Sequence, residues 1–102
     1  MDRVQFVSSI NGCEDQFFDH IMIAYNIIDN ENDVYVTQSA NLMDSSISFM
    51  FKFCAIDTYN RILSKIEQSF HGRIELYGSI FNIDIIYQNI SELSIFIRIR
   101  QL

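Results

Sequence analysis

Apolar and polar side chains alternate along residues 3–10, with Val4 and Phe6 on one face and Gln5, Val7 and Ser9 on the other. A period of two predicts a strand. Asn11-Gly12 interrupts it, and Asn11 with Glu14 has the spacing of an N-cap and its reciprocal partner, so a helix is predicted to begin there. The period then changes, and Phe17, Ile21, Ala24, Tyr25 and Ile28 define its predicted buried stripe. The run Asp29-Asn30-Glu31-Asn32-Asp33 ends the helix in a turn. Val34 to Thr37 reads as a short strand. Ser46 to Cys54 reads as a stronger one, in which Ile47, Phe49, Phe51 and Phe53 alternate with Ser48, Met50 and Lys52. Asp57 is placed to cap a second helix with the stripe Tyr59, Ile62, Leu63, Ile66 and Phe70, and Gly72 is placed as its C′ residue. Residues 73–87 are strand-like throughout but too long for one ordinary strand, and Gly78-Ser79 marks a bulge, bend or hairpin within them. After a turn at 89–92, Leu93, Ile95, Ile97 and Ile99 alternate with Ser94, Phe96, Arg98 and Arg100 in a last strand.

The element order is therefore β-α-β-β-α-β followed by one or two C-terminal strands. Two amphipathic helices bury their stripes in one layer contact with a sheet. The fold class this predicts is α+β, a two-layer sandwich with two helices on one face of a mostly antiparallel sheet. The order of elements resembles the ferredoxin-like split β-α-β arrangement over about the first 80 residues. Phe17, Ile21, Phe49, Ile62, Ile66 and Ile97 are the expected core.

Composition keeps that picture and narrows the chemistry. The chain has 102 residues, the size of one domain, so residues 1–102 are expected to share a single core. Its apolar fraction of 49% is far from the disordered signature. No signal-peptide core or long apolar run occurs, so a cytoplasmic location without a membrane partner is expected. Cys13 and Cys54 share no short spacing and read as reduced thiols.

The formal net charge is −6, and it is unevenly spread. Between Arg3 and Lys52 lie seven acids, Glu14, Asp15, Asp19, Asp29, Glu31, Asp33 and Asp44, and no Lys or Arg. From Lys52 onward six bases meet five acids. Such a field repels nucleic acid and anionic lipid and steers a basic protein partner.

No catalytic reading outweighs its plainer alternative. Cys13 at a helix start could be a nucleophile, but Glu14 and Asp15 oppose the thiolate. His20, His71, Cys13 and Cys54 lack paired zinc spacings. Asp29, Glu31 and Asp33 mimic the first ligands of a calcium loop, but Val34 and Ala40 stand where that loop needs Gly and Glu. Neither an enzyme activity nor a metal or cofactor is expected. Asn89-Ile90-Ser91 is a chance sequon.

The acidic run has two readings. Asn and Asp are good turn formers, so it can be a solvated turn. Alternatively Glu14, Asp15, Asp19, Asp29, Glu31 and Asp33 form a partner-binding patch, with Tyr25 and Tyr35 as flanking aromatic anchors. In general character (short, acidic, aromatic, single-domain, with the composition of an AT-rich gene) the chain resembles the immunity proteins that bacteria pair with nuclease toxins, in contact-dependent inhibition and colicin-like systems. That resemblance implies an antidote that covers a basic nuclease active site, with carboxylates standing in for substrate phosphates. The alternatives are a phage or plasmid inhibitor that mimics nucleic acid, and a structural subunit that homo-oligomerises through an open sheet edge or the apolar C-terminal strand.

Overall fold

The two-residue alternation of the sequence is realised in a sheet that positions everything else. The computed structural model describes residues 5–8, 17–28, 31, 33–70 and 73–102. In chain order the elements are strand β1 (Gln5–Ser8), helix α1 (Phe18–Ile27), strands β2 (Val34–Asn41) and β3 (Ser46–Phe53), and helix α2 (Ile56–Lys65). A π-helical turn (Ile66–Phe70) continues α2, and strands β4 (Arg73–Leu76), β5 (Ser79–Asn89) and β6 (Ser94–Gln101) follow. Strands β2 to β6 form a five-stranded antiparallel sheet in the order β2-β3-β6-β5-β4. β1 joins it in parallel at the β2 edge, with Gln5 opposite Tyr35.

The α+β class holds, but the sheet is not ferredoxin-like. A split β-α-β unit leaves room for a strand between its two strands. Here β1 lies directly beside β2, and β4, which follows α2, sits at the far edge.

Register stacks the apolar positions into rows on one face. Val36, Phe51 and Ile95 form one row, Phe49, Ile97 and Ile85 a second, and Ile47, Ile99 and Ile83 a third. All of these but the half-buried Ile85 are buried, and the Phe49 and Phe51 rings stack at 6.3 Å. Burying a side chain of this size stabilises the fold by about 1.5–3 kcal/mol.

Tight turns hold the register. The β2–β3 and β5–β6 connections share one design, a four-residue loop between Asn and Ser, at Asn41/Ser46 and Asn89/Ser94. Asn41 Oδ1 accepts the Met43 N–H at 3.0 Å, and Asn89 Oδ1 accepts that of Ser91 at 2.9 Å. The last loop residues, Ser45 and Leu93, are left-handed, with φ of 54° and 52°. The long strand-like stretch is resolved as the β4–β5 hairpin, turning at Tyr77 and Gly78 with φ of 51° and 81°. Two positive φ angles are what a tight hairpin demands. Glycine meets this freely, whereas a side chain such as Tyr77 costs about 1–2 kcal/mol.

Both helices cover the apolar face. Tyr59 of α2 meets Phe53 edge-on at 6.1 Å, and His20 of α1 meets Phe81 edge-on at 5.0 Å. Phe53 and Phe81 lie on the same side of the sheet through the Ile47, Ile99 and Ile83 row. The helices are also tied together, since Lys65 Nζ donates to the Asn26 carbonyl at 2.6 Å.

Several expectations shift. Of the expected α1 stripe, Phe17, Ala24 and Ile28 are buried, but Ile21 is half-buried and Tyr25 exposed, and His20, Ile23 and Ile27 complete the buried face instead. Of the six expected core residues, Ile21 alone is only half-buried. The described helix begins at Phe18, and Asn11, Glu14 and Gly72 lie outside the described residues. α2 is preceded by an extended Ala55 without a side-chain cap, and Asp57 sits inside its first turn, where the helix dipole favours a carboxylate. β2 runs to Asn41, beyond the expected Thr37, because its pairing with β3 continues through polar Gln38 and Ser39.

Candidate protein-binding face

An α-helix advances about 100° per residue, so residues at i, i+4 and i+7 share one face. On α1 this brings Phe18, Met22 and Tyr25 within an arc of roughly 60°. They are 58%, 38% and 45% exposed. The buried residues His20, Ile23, Ala24 and Ile27 centre on the opposite side of the same helix. α1 is thus apolar both toward the core and toward solvent. Three large side chains of the types enriched in interface centres point away from the fold they belong to. Asp19 flanks this ridge, half-buried in the first turn.

The inner side of α1 meets the sheet through a buried histidine. His20 is 2% exposed between the rings of Phe17 and Phe81, at 5.1 Å and 5.0 Å. Its Nε2 lies 3.3 Å from the Ser45 carbonyl, to which it donates as the neutral tautomer. Nδ1 is buried without a partner among the described residues. Burial pushes the imidazole below its usual value, and the bond to Ser45 and the Asp19 carboxylate oppose that shift only in part.

The structure separates the residues that the sequence grouped as one patch. Glu14, Asp15 and Asp29 lie outside the described residues. Glu31 is not a free carboxylate: Arg61 Nε and Nη2 donate to its two oxygens at 2.8 Å and 2.7 Å. The hydrogen bonds from Arg61 hold Glu31 below the usual carboxylate range, against the effect of its burial, with the charges of Arg61 and Lys65 adding to them. That pair fastens the α1–β2 connection to α2. Asp33 is exposed and left-handed, with φ of 59°. Tyr35 alternates with buried Val34 and Val36 and lies on the helix-free face of the sheet, so it does not join Tyr25. Of the expected residues, Asp19 and Tyr25 share α1. Phe18 and Met22 were missed, although their spacing from Tyr25 is legible once the helix is anchored on His20 and Ile23.

The catalytic alternatives gain no geometry. Cys54 is exposed just beyond the end of β3, and His20 contacts the turn before its start. An eight-residue strand separates them by on the order of 25 Å, too far to share a metal. Among the described residues no three His, Cys, Asp or Glu side chains converge. Cys13 and His71 lie outside the described residues. Among the described residues no helix is long and apolar enough to cross a membrane. No family model, curated protein or solved structure matches the chain.

Proposed function

We propose that the chain is an inhibitory binding protein of the immunity type, a small antidote that blocks a basic partner, such as a nuclease toxin, by contact. The observation that carries this reading is the apolar ridge Phe18, Met22 and Tyr25, which faces away from the core of its own fold. Aromatic and Met anchors of this kind supply most of the energy of an interface when a partner desolvates them. Asp19 beside the ridge, with Asp33 beyond the helix, adds negative charge that steers a basic partner and sets its orientation. The reading keeps the partner class expected from the charge distribution and moves the centre of the site from the acidic turn to the helix.

The test uses the tagged chain as bait in a lysate of its source cells, beside a Phe18→Ser, Met22→Ser, Tyr25→Ser triple variant. A basic nuclease is expected on the wild-type bait and should bind the triple at least about tenfold more weakly, a loss of about 1.4 kcal/mol. The melting temperature of the variant should stay the same or rise, since exposed apolar groups contribute little to folding. Equal capture by both baits would remove α1 from the site. Retention of no basic protein by the wild-type bait would overturn the reading.

A further inference from the structure

We propose that the helix-free face of the sheet is the contact through which two copies of this chain pair, sheet against sheet. This rests on the sheet alone and is independent of the α1 ridge, which lies on the other layer.

An antiparallel sheet can turn one face to water, and its outward positions are then polar. This face is polar only away from its middle. Strand register sets Thr37, Met50, Phe96 and Tyr87 in one outward row across β2, β3, β6 and β5, and that row carries no charge. Met50 and Phe96 are half-buried and Tyr87 is exposed, while both helices lie on the opposite side of the sheet. Tyr35, also exposed, stands beside Lys52 in the next row, about 7 Å along the strands. Aromatic residues and Met in the middle, with charge kept to the periphery, are the composition of an interface centre.

The charges select the occupant. At this face Lys52, Arg73, Arg98 and Arg100 stand against Asp44, Glu75, Asp84 and Glu92, four against four, a balance of zero. Asp44 and Glu92 belong to it through their hydrogen bonds with Ser46 and Asn89. Elsewhere among the described residues Arg61 and Lys65 stand against Asp19, Glu31, Asp33, Asp57 and Glu67, two against five, a balance of −3. A neutral face offers little to a polyanion or a polycation. Two copies of an acidic chain repel each other across the rest of their surface, and across this face they do not.

The face is also self-complementary. A two-fold axis along the Phe96 row, perpendicular to the strands, sets that uncharged row against its own copy. It carries the β5–β6 turn of one copy over the far end of the other, where Arg100 and Arg73 flank Asn82. Glu92 of each copy then meets Arg100 and Arg73 of the other, so the contact forms twice. Neither arginine side chain makes a hydrogen bond or ion pair among the described residues. Lys52 falls over uncharged Ser48, and Arg98 is already held by Asp84 at 3.6 Å. Five strands about 4.8 Å apart and about eight residues long cover roughly 650 Å². That is the order of the ~800 Å² of accessible surface that each partner of a stable pair buries. The α1 ridges stay on the outer layers, so the dimer presents two of them.

The experiment is sedimentation velocity over a concentration series. Wild-type protein should run as a two-chain species that dissociates on dilution. Tyr87→Glu puts a charge into the central row, and Glu92→Arg turns the end contact into a repulsion. Each should weaken the dimer about tenfold or more. Combining Glu92→Arg with Arg73→Glu and Arg100→Glu restores opposite charges across the contact and should regain most of that loss. Thermal melts confirm that each variant is folded, and the α1 triple variant should pair like wild type. A single-chain mass for the wild-type protein at every concentration would overturn the proposal. So would a dimer that tolerates both Tyr87→Glu and Glu92→Arg, a charge exchange that restores nothing, or a dimer lost in the α1 triple, since each places the contact elsewhere.

Discussion

Helices α1 and α2 have the same length and pack on the same face of the same sheet, yet their solvent sides are opposites. The outer side of α2 carries Asp57, Asn60, Arg61 and Ser64, and its charges are put to internal use: Arg61 clamps Glu31, and Lys65 caps the α1 carbonyl of Asn26. The outer side of α1 carries Phe18, Met22 and Tyr25. A helix needs only one apolar stripe to dock on a sheet. α2 shows what a helix of this fold looks like when folding alone shapes it. The surplus on α1 is the feature on which the proposed partner contact rests.

The largest expected effects lie where the two helices are alike. Ile23→Ala in α1 and Ile62→Ala in α2 should each cost about 2–5 kcal/mol in denaturant unfolding, since both side chains are fully packed. A near-neutral Ile23→Ala would mean that α1 is not seated as α2 is, and the contrast between their outer sides would lose its meaning.

A smaller effect separates the inner sides. α1 alone buries an imidazole, whose proton affinity folding lowers. The unfolded chain therefore binds the proton more readily, and stability rises with pH across that interval. The contribution is complete above the ordinary histidine value near pH 6.5 and drains away as the pH falls below it, by at most about 1.4 kcal/mol per pH unit. Unfolding measured across that range should show an acid limb that His20→Gln flattens. The same limb in both proteins would assign it to other groups.

The smallest effect concerns the tie between the helices. Glu31→Gln should lower the melting temperature slightly, and the difference should vanish at high salt because Arg61 is largely in solvent. A deficit that persisted in high salt would show the tie to be more than a surface ion pair.

How much of this could be read from the chain depends on how local each feature is. The alternation through Ile47–Phe53 and Ile95–Ile99, the α2 stripe from Tyr59 to Ile66 and the turn near Gly78 are set by neighbours in sequence, and they were legible. The insertion of β6 between β3 and β5 pairs Lys52 with Ser94, a choice no local pattern encodes, and the sheet order was missed with it. The candidate site divides in the same way. The acids were plain to see, but the arginine that takes up Glu31 lies thirty positions away. On α1, an apolar side chain in every direction left the inward face ambiguous. His20, polar yet enclosed by rings, is the residue that fixes it.

The irregularity in β5 has a consequence for solubility. β4 pairs with residues 79–82 only, so the rest of this eleven-residue strand, through Ile83, Ile85, Ile86 and Tyr87, has no partner on its outer side among the described residues. An exposed, apolar, β-prone edge is a template for a foreign strand, and from there for a growing fibril. Between Ile85 and Tyr87 the register slips, leaving Ile86 as an extra residue. A strand approaching that edge meets hydrogen-bonding groups that fall out of step midway. The bulge lets a short edge strand suffice, and it guards the remaining length of β5 against aggregation.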